Sequence, residues 1–211
     1  MITIKDISLN IKKKIILNNI NISVNDGECF GLVGRNGSGK TMLMKVICGF
    51  VPQSSGEVSV NGIVIGKDAD FPPSVGIIIE TPGFLPAKSG FENLRNLAAL
   101  NNKIDAEKIR ETMSFLGLDP DSRLHVSKYS LGMKQRLGLA QAIMEDPEVL
   151  ILDEPFNGLD MSGVADMRRY LNEIKKKGKT MIISSHNKED IEILCDKYIV
   201  MDKGEIIEEH F

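Results

Sequence analysis

Apolar and polar positions along the chain fall into stretches of different rhythm. The first is strand-like. Ile20-Asn21-Ile22-Ser23-Val24 alternates with period two, and Ile2-Thr3-Ile4 and Ile15-Ile16-Leu17 flank a polar turn. Asp26-Gly27 turns the chain into an apolar strand from Glu28 to Val33. A helix is predicted from Lys40 to about Phe50, with Leu43, Val46 and Ile47 inward and a stop near Gly49. Val58–Val60 and Ile63–Ile65 around Asn61-Gly62 predict a hairpin, and Val75–Ile79 a further apolar strand. The middle stretch is helical. Phe91, Leu94, Leu97, Ala98 and Leu100 form one stripe; Asp105 caps a second helix that carries Ile109, Met113 and Leu116 and stops at Gly117. The last stretch mixes both rhythms. Ser130 and Gly132 open an amphipathic helix, and Val149-Leu150-Ile151-Leu152 reads as a buried parallel strand. A helix over 163–177 turns Val164, Met167, Leu171 and Ile174 inward and stops at Gly178. Met181–Ser185 is a strand, and Tyr198–Asp202 with Glu205–Ile207 a final hairpin around Lys203-Gly204, with no regulatory extension expected after it.

This order predicts one α/β domain over 1–211. Residues 1–81 and 129–211 form the core with an N-terminal antiparallel β subdomain, and about 82–128 form an inserted helical subdomain. A chain of 211 residues can bury one such core. The net charge of −3 comes with no strongly basic face, so nucleic acid is not an expected partner. The lysine runs 12–14 and 175–177 read as a solvated turn and a helix C-terminal end. Cys29, Cys48 and Cys195 are too few and too scattered for a disulfide framework or zinc site, and Cys29 is expected to pack as a small apolar residue in a reducing compartment. No apolar stretch is long enough to span a bilayer and no signal peptide opens the chain. A transport role would therefore need a separate membrane polypeptide.

The candidate chemistry lies at three places. Gly34-Arg35-Asn36-Gly37-Ser38-Gly39-Lys40-Thr41 stands between a predicted strand and a predicted helix, the setting of a phosphate-cradling loop. Its glycines let backbone N–H groups turn toward a phosphate, and the helix N-terminus adds its positive end. Lys40 would reach the β- and γ-phosphates, and the Thr41 hydroxyl would ligate Mg²⁺. Asp153 and Glu154 close the apolar strand, where an open α/β sheet binds its ligand. Asp153 suits a water-bridged Mg²⁺ and Glu154 suits a general base for an attacking water. Ser130 can cap its helix and form an anion site with nearby N–H groups. Taken singly, each has a plainer reading: a glycine-rich turn, idle solvated acids, an ordinary N-cap.

Taken together and in this order, the three resemble the ATP-binding cassette (ABC) ATPases, the motor subunits of ABC transporters. The resemblance implies a P-loop cassette with a mostly parallel core sheet. It implies ATP and Mg²⁺ as cofactors, with Gly34, Asn36, Gly37, Ser38, Gly39, Lys40, Thr41 and Met42 around the nucleotide and Thr41 and Asp153 at the metal. Tyr129-Ser130-Leu131-Gly132-Met133-Lys134-Gln135-Arg136 resembles the family's LSGGQ signature, with Leu131 in place of a glycine and Met133 in place of the glutamine. Ser130 and Gly132 would face the γ-phosphate held by an opposite cassette. Asn157-Gly158-Leu159-Asp160 matches the D-loop, where two cassettes meet, and His186 the histidine that contacts the γ-phosphate, so that Glu154, His186 and Lys40 are the implied catalytic group.

Two further positions depart from the family pattern. Glu80 stands where glutamine is usual; a carboxylate there is a candidate Mg²⁺ ligand but is repelled by phosphate. Its segment, IIIETPGFLP, resembles the cassettes of bacitracin-resistance and lantibiotic-immunity exporters. Ile11 stands where an aromatic residue often stacks on adenine, so preference for ATP over GTP is expected to be weak. The implied whole is a cassette at the cytoplasmic face of the cell membrane, paired with itself or another cassette and docked on a transmembrane permease that exports an antimicrobial peptide. A soluble ABC ATPase of the iron–sulfur assembly type and a nucleotide-dependent regulator remain as alternatives.

Overall fold

The structure is a computed structural model that describes residues 1–80 and 83–211; Pro82, the expected start of the helical stretch, lies outside them. Strands β1 (Ile2–Ile11) and β2 (Lys14–Val24) form one long antiparallel hairpin rather than separate short strands. The apolar phase along β1 changes partway. Ile2 and Ile4 are buried, then Ile7 and Leu9, and the register slips between the two pairs, where Asp6 adopts φ 51°. In β2 the switch falls between Leu17 and Ile20, with Asn19 at φ 48°. An extra residue at each point re-aims the following side chains to the buried face, as a β-bulge does. Helix α1 (Lys40–Ile47) follows β3 (Cys29–Val33), and β4 (Ser55–Val60) with β5 (Ile63–Val64) completes a four-stranded sheet of order β2-β1-β4-β5. Asn61 and Gly62 between β4 and β5 both have positive φ, 50° and 79°, as a two-residue hairpin turn of the primed type requires.

The second sheet has six strands. Its order is β6 (Val75–Ile78), β7 (Val149–Leu152), β8 (Thr180–Ser185), β3, β9 (Lys197–Asp202) and β10 (Glu205–His210), reading inward from β6 to the far edge. All neighbours are parallel except β9 and β10. Alternate residues of its central strands serve opposite faces. Phe30, Leu32, Val149 and Ile151 pack toward α1 and the four-stranded sheet, whereas Cys29, Val33, Leu150 and Leu152 pack toward the remaining helices. Both faces are covered, which is why these strands read as apolar runs without alternation.

Those helices are α2 (Gly90–Asn101), α3 (Ala106–Phe115), α4 (Leu131–Ile143), α5 (Met161–Lys176) and α6 (Lys188–Leu194), with a single 3₁₀ turn at Val126–Lys128. Ser89 and Glu92 form a reciprocal capping box on α2, and Asp105 caps α3 by accepting from Lys108 N–H. α4 lies against β6 closely enough that a Cβ on Gly76 would sit 2.0 Å from the Ala142 carbonyl oxygen, so only glycine fits there. α6 has no counterpart in the sequence pattern: it is a seven-residue helix whose inward face includes a charged residue, Asp190, bound to Arg168 Nε at 2.9 Å. The cysteines also depart from expectation. Cys29 is buried as predicted, but its Sγ lies 3.4 Å from Cys195 Sγ, because β3 and the start of β9 are neighbours. That contact and burial together push the Cys29 thiol well above its ordinary range.

Candidate functional site

The parallel register puts four strand ends on one edge. Ile78 is level with Leu152, Leu152 with Ile183, and Leu32 with Ser184. Glu80, Asp153, Glu154, His186 and the glycine-rich loop all leave the sheet on that edge, where such sheets bind ligands.

Within the loop, Gly37 and Gly39 take φ 82° and 112°; a Cβ on Gly37 would touch nothing, so its backbone conformation alone demands glycine. Gly39 is the N-cap residue of α1 and supplies no side-chain cap, which leaves the first-turn N–H groups without a capping side chain. Lys40 is buried and its ammonium curls back to donate to the carbonyl oxygens of Gly34 at 2.6 Å and Arg35 at 3.3 Å. The Thr41 hydroxyl donates to Asp153 Oδ2 at 2.7 Å. These two oxygens could hold a divalent cation, with its remaining positions left for phosphate and water. No group of three or more His, Cys, Asp or Glu side chains suited to a metal occurs among the described residues. Asn36 is exposed on the loop, and Met42 lies in the first turn of α1, packed against the core.

Asp153 and Glu154 are held differently. Asp153 is buried, and its second oxygen accepts from Ser184 Oγ at 2.6 Å. Ser184 in turn accepts from the Glu154 N–H at 2.9 Å. Glu154 has φ 49°, a conformation uncommon for a non-glycine residue that marks strain held by its surroundings. Its Oε2 meets His186 Nδ1 at 2.8 Å. Its Oε1 lies 3.3 Å from Lys40 Nζ, close enough for charge attraction, yet makes no aligned hydrogen bond. Ser38 Oγ, on the loop itself, is likewise buried without a partner. Buried polar atoms left unpaired are costly. Two of them around one cationic loop fit a site that a polar, anionic ligand completes.

Ser130 and Gly132 are not brought to this cluster. Ser130 caps α4 by accepting from Met133 N–H at 3.2 Å, and no hydrogen bond or ion pair among the described residues joins either of them to the loop. They line instead a cleft of about 330 Å³ with Arg136, Gly158 and Asp160. A Cβ on Gly132 would reach Leu159 only at 3.6 Å, so nothing inside the chain requires glycine there. Leu131 packs over Gly158, where a Cβ would lie 2.3 Å from its Cδ2. Asp160 caps α5; the Gly163 N–H and then the Ser162 hydroxyl hold its carboxyl below the usual aspartate range.

Glu80 is not joined to Thr41 or Asp153. It has φ 60°, its side chain is 66% exposed, and its Oε1 pairs with Lys45 Nζ at 2.6 Å. Ile11 stands at the end of β1 and is 40% exposed. The sequence reading missed Ser184 and Lys45. The signal for Ser184 was a serine pair closing an otherwise apolar strand; Lys45 carried none beyond its place one helical turn after Thr41.

Residues 17–157 match the family model described as ABC transporter. The chain is 43% identical over 206 residues to the uncharacterized ABC transporter ATP-binding protein YybJ of Bacillus subtilis, covering 98% of this chain and 94% of that protein. It is 42% identical over 196 residues to the bacitracin transport ATP-binding protein BcrA of Enterococcus faecalis, covering 92% of this chain and 64% of that protein. It is 34% identical to the lantibiotic transport ATP-binding protein SrtF of Streptococcus pyogenes, covering 98% and 89%. Among solved structures, an ATP-binding subunit of an ABC transporter aligns with TM-score 0.87 at 27% identity over 99% of this chain and 89% of that one. The dimeric cassette MJ0796 aligns with TM-score 0.89 at 20% identity over 100% and 98%, which speaks to the fold. A glycine-rich loop with a buried lysine, two acids at the end of β7 and a helix capped by a serine thus occur in a chain whose sequence matches one family along most of its length, and the chain belongs to the ABC transporter family as an ATP-binding, ATP-hydrolysing cassette.

Proposed function

We propose that this cassette drives a separate membrane subunit that exports, or protects against, a peptide antibiotic, and that a second cassette completes each of its nucleotide sites. The observation that carries the reading is the separation of the two half-sites. Lys40, Thr41, Asp153, Glu154 and His186 are interlinked within the chain, whereas Ser130 and Gly132 open onto a cleft with no intrachain ligand-binding partner. When bound, Mg-ATP supplies the phosphoanhydride bond whose hydrolysis drives the cycle. Thr41 and Asp153 would hold the cation; Lys40 and the α1 N-terminus, with the backbone of Gly34, Asn36, Gly37, Ser38, Gly39, Thr41 and Met42, would bind the phosphates. Glu154 would take the proton of the attacking water, and His186 would orient Glu154 and donate toward the γ-phosphate. Ser130 and Gly132 of the facing cassette cover the same phosphate.

Helices α2 and α3, between β6 and α4, act as a unit that moves against the core when the two cassettes close. A groove of about 820 Å³ beside them, lined by Phe50, Phe71, Ile79, Leu97 and Leu100, supports docking of a membrane subunit at the cytoplasmic face of the membrane. Phe50, Phe71 and Leu100 are exposed there, at 51%, 60% and 78%. No helix among the described residues is long and apolar enough to cross a bilayer, which supports a separate polypeptide for that task. Bacitracin and lantibiotic in the names of relatives at 34–42% identity support the cargo class. The test is Mg-ATPase turnover of the purified chain beside Glu154→Gln. Turnover that collapses in the variant supports the reading, and equal turnover in both contradicts the assignment of Glu154.

A further inference from the structure

α1 makes two contacts of the same kind, one turn apart. Thr41 Oγ1 meets Asp153, the first residue after β7, and Lys45 Nζ meets Glu80, just beyond β6. Residues i and i+4 share a helix face. β6 and β7 are parallel neighbours, and the Asp153 N–H donates to the Ile78 carbonyl oxygen at 2.7 Å. The two acids therefore leave the same edge side by side, and one helix face receives both. Glu80 and Glu154 also share a left-handed backbone conformation, φ 60° and 49°.

An ionised carboxylate here lies on the edge where a triphosphate binds, and like charges repel. The ion pair removes that difficulty. Lys45 is 23% exposed and its partner 66%, so the pair is a short contact at the surface that neutralises the carboxylate locally and weakens as salt rises. Lys45 has no other ion-pair partner among the described residues. Lys40, adjacent to Thr41 on the same helix, is committed to the loop carbonyls and Glu154, so it does not serve Glu80.

We propose that Lys45 is a positioning residue for ATP hydrolysis: its ammonium holds and neutralises the Glu80 carboxylate, so that an acid can stand beside the phosphates at the root of the segment leading to α2. This rests on the reading of the edge as the ATP site. Removing Lys45 releases an uncompensated negative charge at that edge. Replacing Glu80 by glutamine removes the need for the lysine.

The experiment is a double-substitution cycle on the purified cassette: wild type, Lys45→Met, Glu80→Gln and the pair, with Mg-ATPase turnover and the free Mg²⁺ giving half-maximal rate measured for each. Lys45→Met alone is expected to lower turnover about tenfold and to shift the Mg²⁺ requirement, while in the Glu80→Gln background it changes turnover by less than about twofold. Lys45→Arg is expected to keep most of the rate. An equal loss with and without Glu80, or no loss in either, overturns the inference. A merely structural lysine would lower the unfolding midpoint equally in both backgrounds and leave the Mg²⁺ requirement unmoved. Glu154→Gln is run alongside: wild-type turnover that this variant abolishes keeps the ATP-site reading standing even if the Lys45 cycle fails. Where basal turnover is too slow to resolve, the Mg-ATP-induced rise in unfolding midpoint of the same four proteins is the readout, with the same coupling expected and the same additivity fatal to the inference.

Discussion

The two ends of the nucleotide machinery are built on opposite plans. At the phosphate loop, side chains from α1 and from the ends of β7 and β8 are tied to one another: Lys40 to Glu154, Thr41 to Asp153, Asp153 to Ser184, Glu154 to His186. At the start of α4, Ser130 accepts from the Met133 N–H and the Gly132 carbonyl from Arg136 Nε, both within the same helix, and Asp160 caps α5. The first region is finished by the fold and leaves two buried polar atoms, Ser38 Oγ and Glu154 Oε1, for a ligand. The second is finished only as local structure. Its glycine has no intrachain reason to be one, since a Cβ at Gly132 meets nothing closer than 3.6 Å. Ser130 serves the monomer as a helix cap, but the glycine at 132 does not, and the proposed pairing with another chain would explain it.

Four substitutions sharpen or break this comparison. The largest effect is expected at Glu154→Gln, which keeps the shape and removes the base; turnover falls by about a hundredfold or more while ATP binding persists, checked by steady-state and binding assays together. Next is Lys40→Ala. Loss of a buried, charged contact to the phosphates weakens nucleotide binding by about tenfold to a hundredfold in equilibrium dialysis. At the other end, Gly132→Glu is expected to leave the unfolding midpoint within about 2 °C of wild type, because nothing in the monomer is displaced. It should nevertheless abolish ATP-driven association, because a carboxylate would then face a phosphate. A large drop in its midpoint would show that the signature end is finished within the chain after all.

The smallest effect concerns Asp160. Its carboxyl is held low by the Gly163 N–H and the Ser162 hydroxyl, so its capping contribution is fully present above the ordinary aspartate pKa of about 3.9 and is lost as pH falls through the lower folded value. Asp160→Ala should lower the denaturant midpoint near pH 7 and progressively less below about pH 4. An effect independent of pH would leave the cap without its charged acceptor.

What could be read in the sequence follows the same division. The loop, the acid pair and the serine helix are contiguous motifs, and the structure gathers the loop, Asp153, Glu154 and His186 at one sheet edge, while Glu80 pairs with Lys45 instead of joining Thr41 and Asp153. The parallel strands were legible because burial on both faces makes them apolar throughout. What escaped depends on contacts between distant segments. Ser184 reaches Asp153 across 31 positions, Lys45 reaches Glu80 across 35, and Cys195 reaches Cys29 across 166. Spacing along the chain cannot show such pairs; strand order does. The first hairpin was read as short pieces because Asp6 and Asn19 break the alternation, and a break in period looks like a strand end when only one strand is in view. α6 was missed because seven residues with Ile191 and Leu194 inward are too few to display a period.

The central claim is that one chain holds half of each site. Its most direct test is the mass of Glu154→Gln in solution, by sedimentation or light scattering, with and without saturating Mg-ATP. A monomer that becomes a dimer only with Mg-ATP, and fails to do so when Gly132→Glu is added, is the predicted result. A monomer under every condition, or a dimer indifferent to nucleotide and to Gly132→Glu, would contradict it.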